Sequence, residues 1–522
     1  MHLQFLVWAT LISALLPAQT IKVYSQASGL PIPGAYVSNR SGTGLYTLKD
    51  GTVDLSALAN SDSLWIRAAG YQAQVTTLDD LHKSSWKIQL MNQQNYLEEV
   101  LVPVSRSQSS NLSQAMRSEK ITSKTIAFQN PQTAADLLTN SGYVFVQKSQ
   151  LGGGSPMLRG MATNRVLLVV DGVRMNNAIF RAGNLQSVIS LDANAIEETE
   201  VLFGPGSVLY GSDAIGGIMN YKTLAPVLKD SSSGLKVQGN AMLRGSSANS
   251  EFTKHLDVSL SHRRWASTTS ISHSRYGDLR SGTKGGVNSF YRSSYVKTFE
   301  GRDSVLRNAD SSLQVGSGYS QINFMQKIVF QATKYLSLDY GLHLSETSPY
   351  NRYDRLYVTQ KSGPYKNKLR WAEWYYGPQI WNMQRLGLTH KRKTAMYDQF
   401  QVIAAWQNFE ERRYDREFMS PDRHTQKEKL RALSLNLDLT KKLGERTQLS
   451  YGSELVHNLV NSTASTEQVF SGKIVPAVTR YPDGSTWTAA GLYSALKHRV
   501  SNLLVVQAGL RYSYYQSYAR FD

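Results

Sequence analysis

The sequence predicts a mainly β protein in three parts: an N-terminal β-sandwich, a small α+β unit, and an antiparallel sheet that closes as a transmembrane β-barrel. Three observations carry this. From about Ser233 the chain is written in alternating runs, the clearest being Leu433-Ser434-Leu435-Asn436-Leu437-Asp438-Leu439-Thr440. Such runs put apolar side chains on one face of a strand and polar ones on the other. After the N-terminus no segment reaches the roughly 20 apolar residues of a membrane helix, so a membrane crossing must be made by strands. Only 41% of the residues are hydrophobic, yet 29 are tyrosine, a composition suited to strands with interfacial aromatic girdles.

Residues 1–18 read as a signal peptide. Leu3 to Leu16 is apolar but too short to span a bilayer, and Pro17-Ala18-Gln19 offers a small residue for cleavage. The absence of cysteine fits passage through an oxidising compartment. Residues 20–91 form the sandwich: Ile21 to Tyr24 alternates, Gly29 to Gly34 is a turn, Ala35-Tyr36-Val37 alternates again, and Lys49-Asp50-Gly51 signals a hairpin. Strands follow at Leu64-Trp65-Ile66 and Trp86 to Leu90. His82 stands alone here, with no metal-ligating set around it, so the unit has no enzymatic reading.

Residues 97–113 join this unit to the next. Within them Glu98, Glu99, Val100, Leu101 and Val102 precede a polar Ser/Gln/Asn-rich tract, a pattern able to add as a strand to another protein's sheet edge. The same residues would also pack as a last sandwich strand, although Pro103 cannot donate to a central ladder.

The α+β unit spans residues 118–224. Thr133 to Leu138 reads as a short helix ended by Gly142, with Tyr143 to Val146 a strand. Val166 to Val170 is an apolar run, bounded by Asn164-Arg165 and the turn pair Asp171-Gly172, and reads as a strand buried on both faces. Glu200 to Phe203 repeats the pattern until Gly204-Pro205-Gly206 breaks it. The glycine-rich stretch from Gly152 lacks a following Gly-Lys-Ser/Thr, which excludes a P-loop.

The glycine-rich opening with Arg159-Gly160, the Val170-Asp171-Gly172-Val173 turn, the strand before Gly204-Pro205-Gly206 and the Leu209-Tyr210-Gly211-Ser212-Asp213-Ala214-Ile215-Gly216-Gly217 run together resemble the plug domain of TonB-dependent outer-membrane receptors. The N-terminal sandwich, through Gly29 to Val37, Lys49-Asp50-Gly51 and Ala69-Gly70-Tyr71, resembles the carboxypeptidase-regulatory-like domain found ahead of such plugs, and residues 98–102 resemble a TonB box. The resemblance implies a multi-pass barrel in the outer membrane of a Gram-negative bacterium, in contact with its lipid, and a TonB-type energy-transducing partner that pairs with the box. It implies import of a large scarce ligand, an iron complex such as a siderophore or haem. A glycan- or peptide-uptake receptor working with a surface lipoprotein shares the architecture, and a surface adhesion protein would use the strands alone.

The family's usual I-E-R-x-E-V-L-R-G-P pattern is here Ile196-Glu197-Glu198-Thr199-Glu200-Val201-Leu202-Phe203-Gly204-Pro205. Glutamate and phenylalanine stand where two arginines are expected, so no role of those arginines carries over. Arg159, Arg165, Arg174 and Arg181 face Glu197, Glu198 and Glu200, charges able to hold a plug in a lumen. Plug retention is assigned first to Arg159, which follows the apolar pair Met157-Leu158 and precedes Gly160, and whose desolvated guanidinium would need a carboxylate from Glu197, Glu198, Glu200 or the barrel wall. A solvated plug surface would leave these charges unpaired. The plug holds no histidine for a haem iron, and no cofactor is assigned.

Residues 233–522 supply roughly eleven strands by the alternation signature. Barrels that enclose a plug have about twenty-two, so about half is expected here, and the reading frame is expected to be incomplete. A soluble sandwich would alternate too, but its edges would be hard to manage at this length. Hydrophilic stretches near 277–318, 346–377 and 409–428 are expected as extracellular loops. Trp371, Trp374, Tyr375, Tyr376, Arg412, Arg413 and His424 within them suit a planar or anionic ligand. The formal charge of +18 fits solvated loops and a polar lumen, and no clustered basic module points to nucleic acid.

Overall fold

The computed structural model describes residues 20–91 and 117–521, apart from breaks at 27, 40–42, 59–62, 69–70, 149–150, 152, 163–164, 180–186, 230–233, 283–290 and 502–503. The expected signal peptide and TonB box lie outside the described residues. The chain divides into two compact units, the first ending at Glu99.

In the first unit, β1 (Thr20–Ser25) sits between β4 (Thr52–Asp54) and β7 (Lys87–Leu90). A second sheet runs in the order β3 (Gly44–Tyr46), β2 (Tyr36–Ser38), β5 (Leu64–Arg67), β6 (Gln74–Thr76). Alternation places Ile21, Val23, Val37, Leu64 and Ile66 between the sheets, where none is exposed. Lys49-Asp50-Gly51 is a turn but not a hairpin, because β3 pairs with β2 whereas β4 pairs with β1. Gly51 has φ +77°, and a Cβ there would meet the Val23 carbonyl at 2.7 Å, so the chain crosses between sheets where only glycine fits. An unexpected helix, Leu78–Lys83, is capped by Thr77, whose hydroxyl accepts from the Asp80 N–H.

In the second unit a five-stranded sheet runs β13 (Val173–Arg174), β12 (Val166–Val170), β15 (Gly217–Thr223), β14 (Ile196–Phe203), β8 (Arg117–Thr122). Only β12 and β15 are parallel. All five residues of β12 are buried, as its unbroken apolar run predicts. Val166, Leu168 and Val170 pack with Met219, Tyr221 and the leucines of helix Ala134–Asn140. Leu167 and Val169 pack on the other face with Leu202, Ile218 and Tyr210. The helix begins at the predicted place, with Thr133 accepting from the Asp136 N–H, and Gly142 at φ +75° follows its end. A smaller antiparallel sheet joins β9 (Phe145–Gln147), β10 (Ser155–Leu158) and β11 (Met161–Ala162).

Beyond Thr223 a continuous antiparallel sheet holds eleven long strands: β16 (Lys236–Ser246), β17 (Glu251–Ser261), β18 (Trp265–Tyr276), β23 (Tyr319–Gln331), β24 (Leu336–Thr347), β27 (Ile380–Lys391), β28 (Gln399–Glu417), β29 (Asp422–Lys442), β30 (Thr447–Gln468), β32 (Ser485–Arg499) and β33 (Val505–Tyr518). Shorter strands lie in the connections: β19 (Leu279–Arg280), β20 (Ser294–Phe299), β21 (Arg302–Arg307), β22 (Leu313–Gln314), β25 (Tyr350–Asn351), β26 (Trp371–Tyr376) and β31 (Ile474–Pro476). In β29 Leu433 and Leu435 face out, 56% and 47% exposed, whereas Asn436 is 2% exposed. Apolar outside and polar inside is the reverse of a soluble sandwich and is the pattern of a lipid-facing barrel wall.

Residues 409–428 are not a loop. They form the far ends of β28 and β29, paired in register up to Asp415↔His424. At about 3.4 Å per residue β29 is roughly 70 Å long, far more than the ~25 Å apolar band of an outer-membrane barrel, so the hairpin projects beyond it. Polar sequence there marks solvated strand.

Candidate functional site

The plug-like sheet and the long-strand sheet meet at the turn between β12 and β13. Asp171 (φ +48°) and Gly172 (φ +82°) are both left-handed, the geometry of a two-residue hairpin turn. The turn carries Asp171 into the wall, where it is 2% exposed. Its carboxylate accepts from the Thr223 N–H at 3.0 Å and the Thr223 hydroxyl at 2.7 Å. Lys327 Nζ of β23 lies 2.8 Å away, and His343 Nε2 of β24 lies 3.2 Å away. Arg385 Nε of β27 donates to the Asp171 carbonyl at 2.8 Å, and its other end pairs with Asp339 of β24. Opposite Asp339 stands Gly387, where any Cβ would fall on the carboxylate. Three neighbouring wall strands thus grip one plug turn. Burial pushes the Asp171 carboxyl up, but Lys327 and His343 more than offset it and hold the group well below the usual carboxylate range.

A second contact lies at Glu454 of β30. Its carboxylate is 3.4 Å from Arg174 of the plug and 2.7 Å from Arg511 of β33. Arg174 also pairs with Asp213 at 2.6 Å, Arg511 donates to the Leu209 carbonyl at 3.1 Å, and Gln407 of β28 donates to the Arg174 carbonyl at 2.9 Å. On the far side, Gln132 donates to Glu251 of β17 at 2.6 Å, and Arg244 of β16 to the Pro131 carbonyl at 2.9 Å.

The expected retention residues sit elsewhere. Arg159 is exposed, with φ +50°, and its guanidinium lies 5.3 Å from the Phe203 ring centre, as does that of Arg117. Its expected pairing with the glutamates does not form. Glu197 accepts from the Ala225 N–H at 3.1 Å, and Glu198 lies 2.8 Å from Lys222 and 3.5 Å from Lys120. Glu200 is 2% exposed, and its Oε1 has no hydrogen-bond partner among the described residues. Burial, larger than the opposing pull of Lys120 and Lys222, raises its pKa. The acidic triplet serves the plug's own sheet, and the plug side chains that pair with the wall include Asp171, Arg174 and Gln132. The turn was legible in sequence, but its partners in the wall lie more than 150 residues away and carry no local signal.

The expected ligand-contact residues are brought onto one three-stranded patch, since β26 pairs with β28 and β28 with β29. They are mostly engaged there. Trp374 and Tyr376, each 4% exposed, and the half-buried Trp371 pack with Tyr276, Tyr319 and Tyr350 against Leu151 and Ile189 of the plug. The guanidinium of Arg413 lies 4.7 Å from the Trp374 ring centre. Tyr375 stacks on Tyr414 at 4.5 Å, and Arg412 pairs with Glu410 at 2.7 Å; register puts both on the opposite face. Only His424 is exposed, its Nδ1 3.1 Å from the Thr466 hydroxyl. No helix among the described residues is long and apolar enough to cross a membrane, and none of their His, Asp and Glu clusters has the makings of a metal site.

Residues 109–218 match the TonB-dependent receptor plug domain family. Over 82 residues the chain is 45% identical to the vitamin B12 transporter BtuB of Vibrio vulnificus (strain CMCP6), covering 15% of this chain and 13% of that protein. Over 97 residues it is 35% identical to the hemin receptor of Yersinia pestis, covering 18% and 14%. The matched part thus spans about an eighth to a seventh of those relatives. The fold extends further: the solved copper transporter OprC superposes with a TM-score of 0.59 at 14% identity, over 76% of this chain and 55% of that one. Residues 109–218 thus carry the plug domain of TonB-dependent receptors, seated in a sheet that shares the fold of the solved transporter.

Proposed function

We propose that this receptor imports a large, scarce ligand, an iron complex such as haem or a siderophore, using energy delivered by a TonB-type partner in the periplasm. The observation that carries the reading is the mode of plug attachment. The plug is held by hydrogen bonds and ion pairs to at least four wall strands, contacts that break and re-form without covalent cost. Force enters at β8, an edge strand of the plug sheet and the first described strand after residues 98–102. Pulling there acts on β14, and through β15 on Thr223, which both Asp171 and Lys327 hold. The relatives' names, a vitamin B12 transporter and a hemin receptor, support a bulky metal-bearing cargo.

The test is Val100→Pro in the full-length receptor. Proline removes a donor from the strand that residues 98–102 would add to the partner. Uptake of labelled haem or ferric siderophore should be lost while surface binding persists. Unchanged uptake would remove the box assignment, and loss of binding as well would place the defect in folding.

A further inference from the structure

We propose that the outer face of β28 and β29, just above the lipid-facing leucines, binds the phosphorylated headgroup of an outer-leaflet lipid. Register fixes the geometry. On β29 the outward positions Leu437, Leu435 and Leu433 are followed, towards the projecting end, by Arg431, Lys429 and Lys427. On β28 the matching positions are Ala404, Trp406, Asn408, Glu410 and Arg412. Trp406, paired across from Leu433, is 43% exposed and marks the upper rim of the apolar band. Directly above it stand four cations against one carboxylate. Glu410 lies 2.7 Å from Arg412, 3.0 Å from Lys427 and 3.6 Å from Lys429, which leaves the group strongly positive. Arg431 is exposed, and the structure gives it no hydrogen bond or ion pair among the described residues.

The direction is set by the connections. Among the ends where β29 leads to β30 and β23 to β24, the turns are only residues 443–446 and 332–335, as on the periplasmic side of such barrels. The opposite ends carry the connections 277–318 and 348–379, so the cations stand at the outer leaflet. Alternate residues on one face are about 6.8 Å apart and neighbouring strands about 4.8 Å, so several ammonium and guanidinium groups converge on one headgroup. A soluble cargo bound here would lie outside the lumen, whereas a lipid places its chains on Leu433, Leu435 and Trp406 and its phosphates on the cations. The patch is separate from the import reading, and its test does not depend on uptake.

Full-length receptor is reconstituted in phosphatidylcholine bicelles with a bisphosphorylated outer-leaflet glycolipid, and retained lipid is measured by native mass spectrometry. Lys427→Gln/Lys429→Gln/Arg431→Gln should reduce retention on the order of a hundredfold, given the attraction each basic residue adds near an anionic surface. Arg431→Gln alone, which disturbs no internal bond, should give a smaller loss with an unchanged heat-modifiable barrel. Lys254→Gln/Arg275→Gln, on β17 and β18, should retain the lipid. The proposal is overturned by undiminished retention in the triple variant, by equal loss in the β17–β18 control, or by equal retention of the dephosphorylated glycolipid. Displacement of the lipid by inorganic phosphate would likewise overturn it in favour of a free-anion site.

Discussion

Lys327 and Arg159 are both cations near the plug, yet their environments give opposite expectations. Lys327 is 3% exposed and lies 2.8 Å from a carboxylate that is itself buried. Removing one partner of such a pair typically costs about 3 to 5 kcal/mol, because the other charge is left without compensation. Lys327→Met in the full-length receptor should therefore loosen the plug and make cells more permeable to large antibiotics, and adding Asp171→Asn should recover part of the loss. Arg159→Ala removes an exposed guanidinium stacked on Phe203 and should leave permeability near wild type. Equal effects from Lys327→Met and Arg159→Ala would refute the Asp171 attachment. Arg159 adjoins an apolar pair and a glycine in sequence, but those neighbours do not decide which way a side chain points.

The β8–β14–β15 ladder runs from the plug's edge strand to Thr223 at the wall, and its acid–base balance is uneven. Glu198 is held low by Lys222 and Lys120 despite burial, so it stabilises the sheet above the ordinary glutamate range and ceases to do so as pH falls through its lowered value. Glu200 is the reverse. Its folded-state pKa is raised, so its favourable, protonated state is fully present below the ordinary glutamate value and is lost as pH rises through the raised value. Glu200→Gln should accordingly leave plug stability unchanged at acid pH and increase it at neutral pH, measured as protease resistance of β8 in the full-length receptor. Lower resistance at neutral pH would mean that the ionised carboxylate is the stabilising form. The ladder's buried strands were legible from their apolar runs, whereas the Lys222 and Lys120 partnership needed the β14–β15 and β14–β8 registers.

At the scale of the molecule, a wall must present apolar groups to lipid and polar groups to the plug. Leu435→Arg, on the lipid face, should cost about 2 to 4 kcal/mol of folding stability if it lies near the midplane, as charged substitutions in such barrels do. Asn436→Ser, on the inner face, should be tolerated by comparison. Urea titration of the reconstituted full-length receptor measures both, and equal costs would contradict the assigned faces. The sequence by itself determined the period-two walls, the eleven strands, the buried β12 and the V-D-G-V turn, because each is set by neighbours a few residues apart and by side-chain alternation. Only the tertiary structure decided that Lys49-Asp50-Gly51 crosses between sheets, that residues 409–428 are a strand hairpin turning at 418–421, that Trp374 and Tyr376 pack against the plug, and that Asp171, not Arg159, is gripped by the wall. The two plug contacts join groups more than 150 residues apart, and a buried ion pair leaves no periodic trace in the chain that makes it.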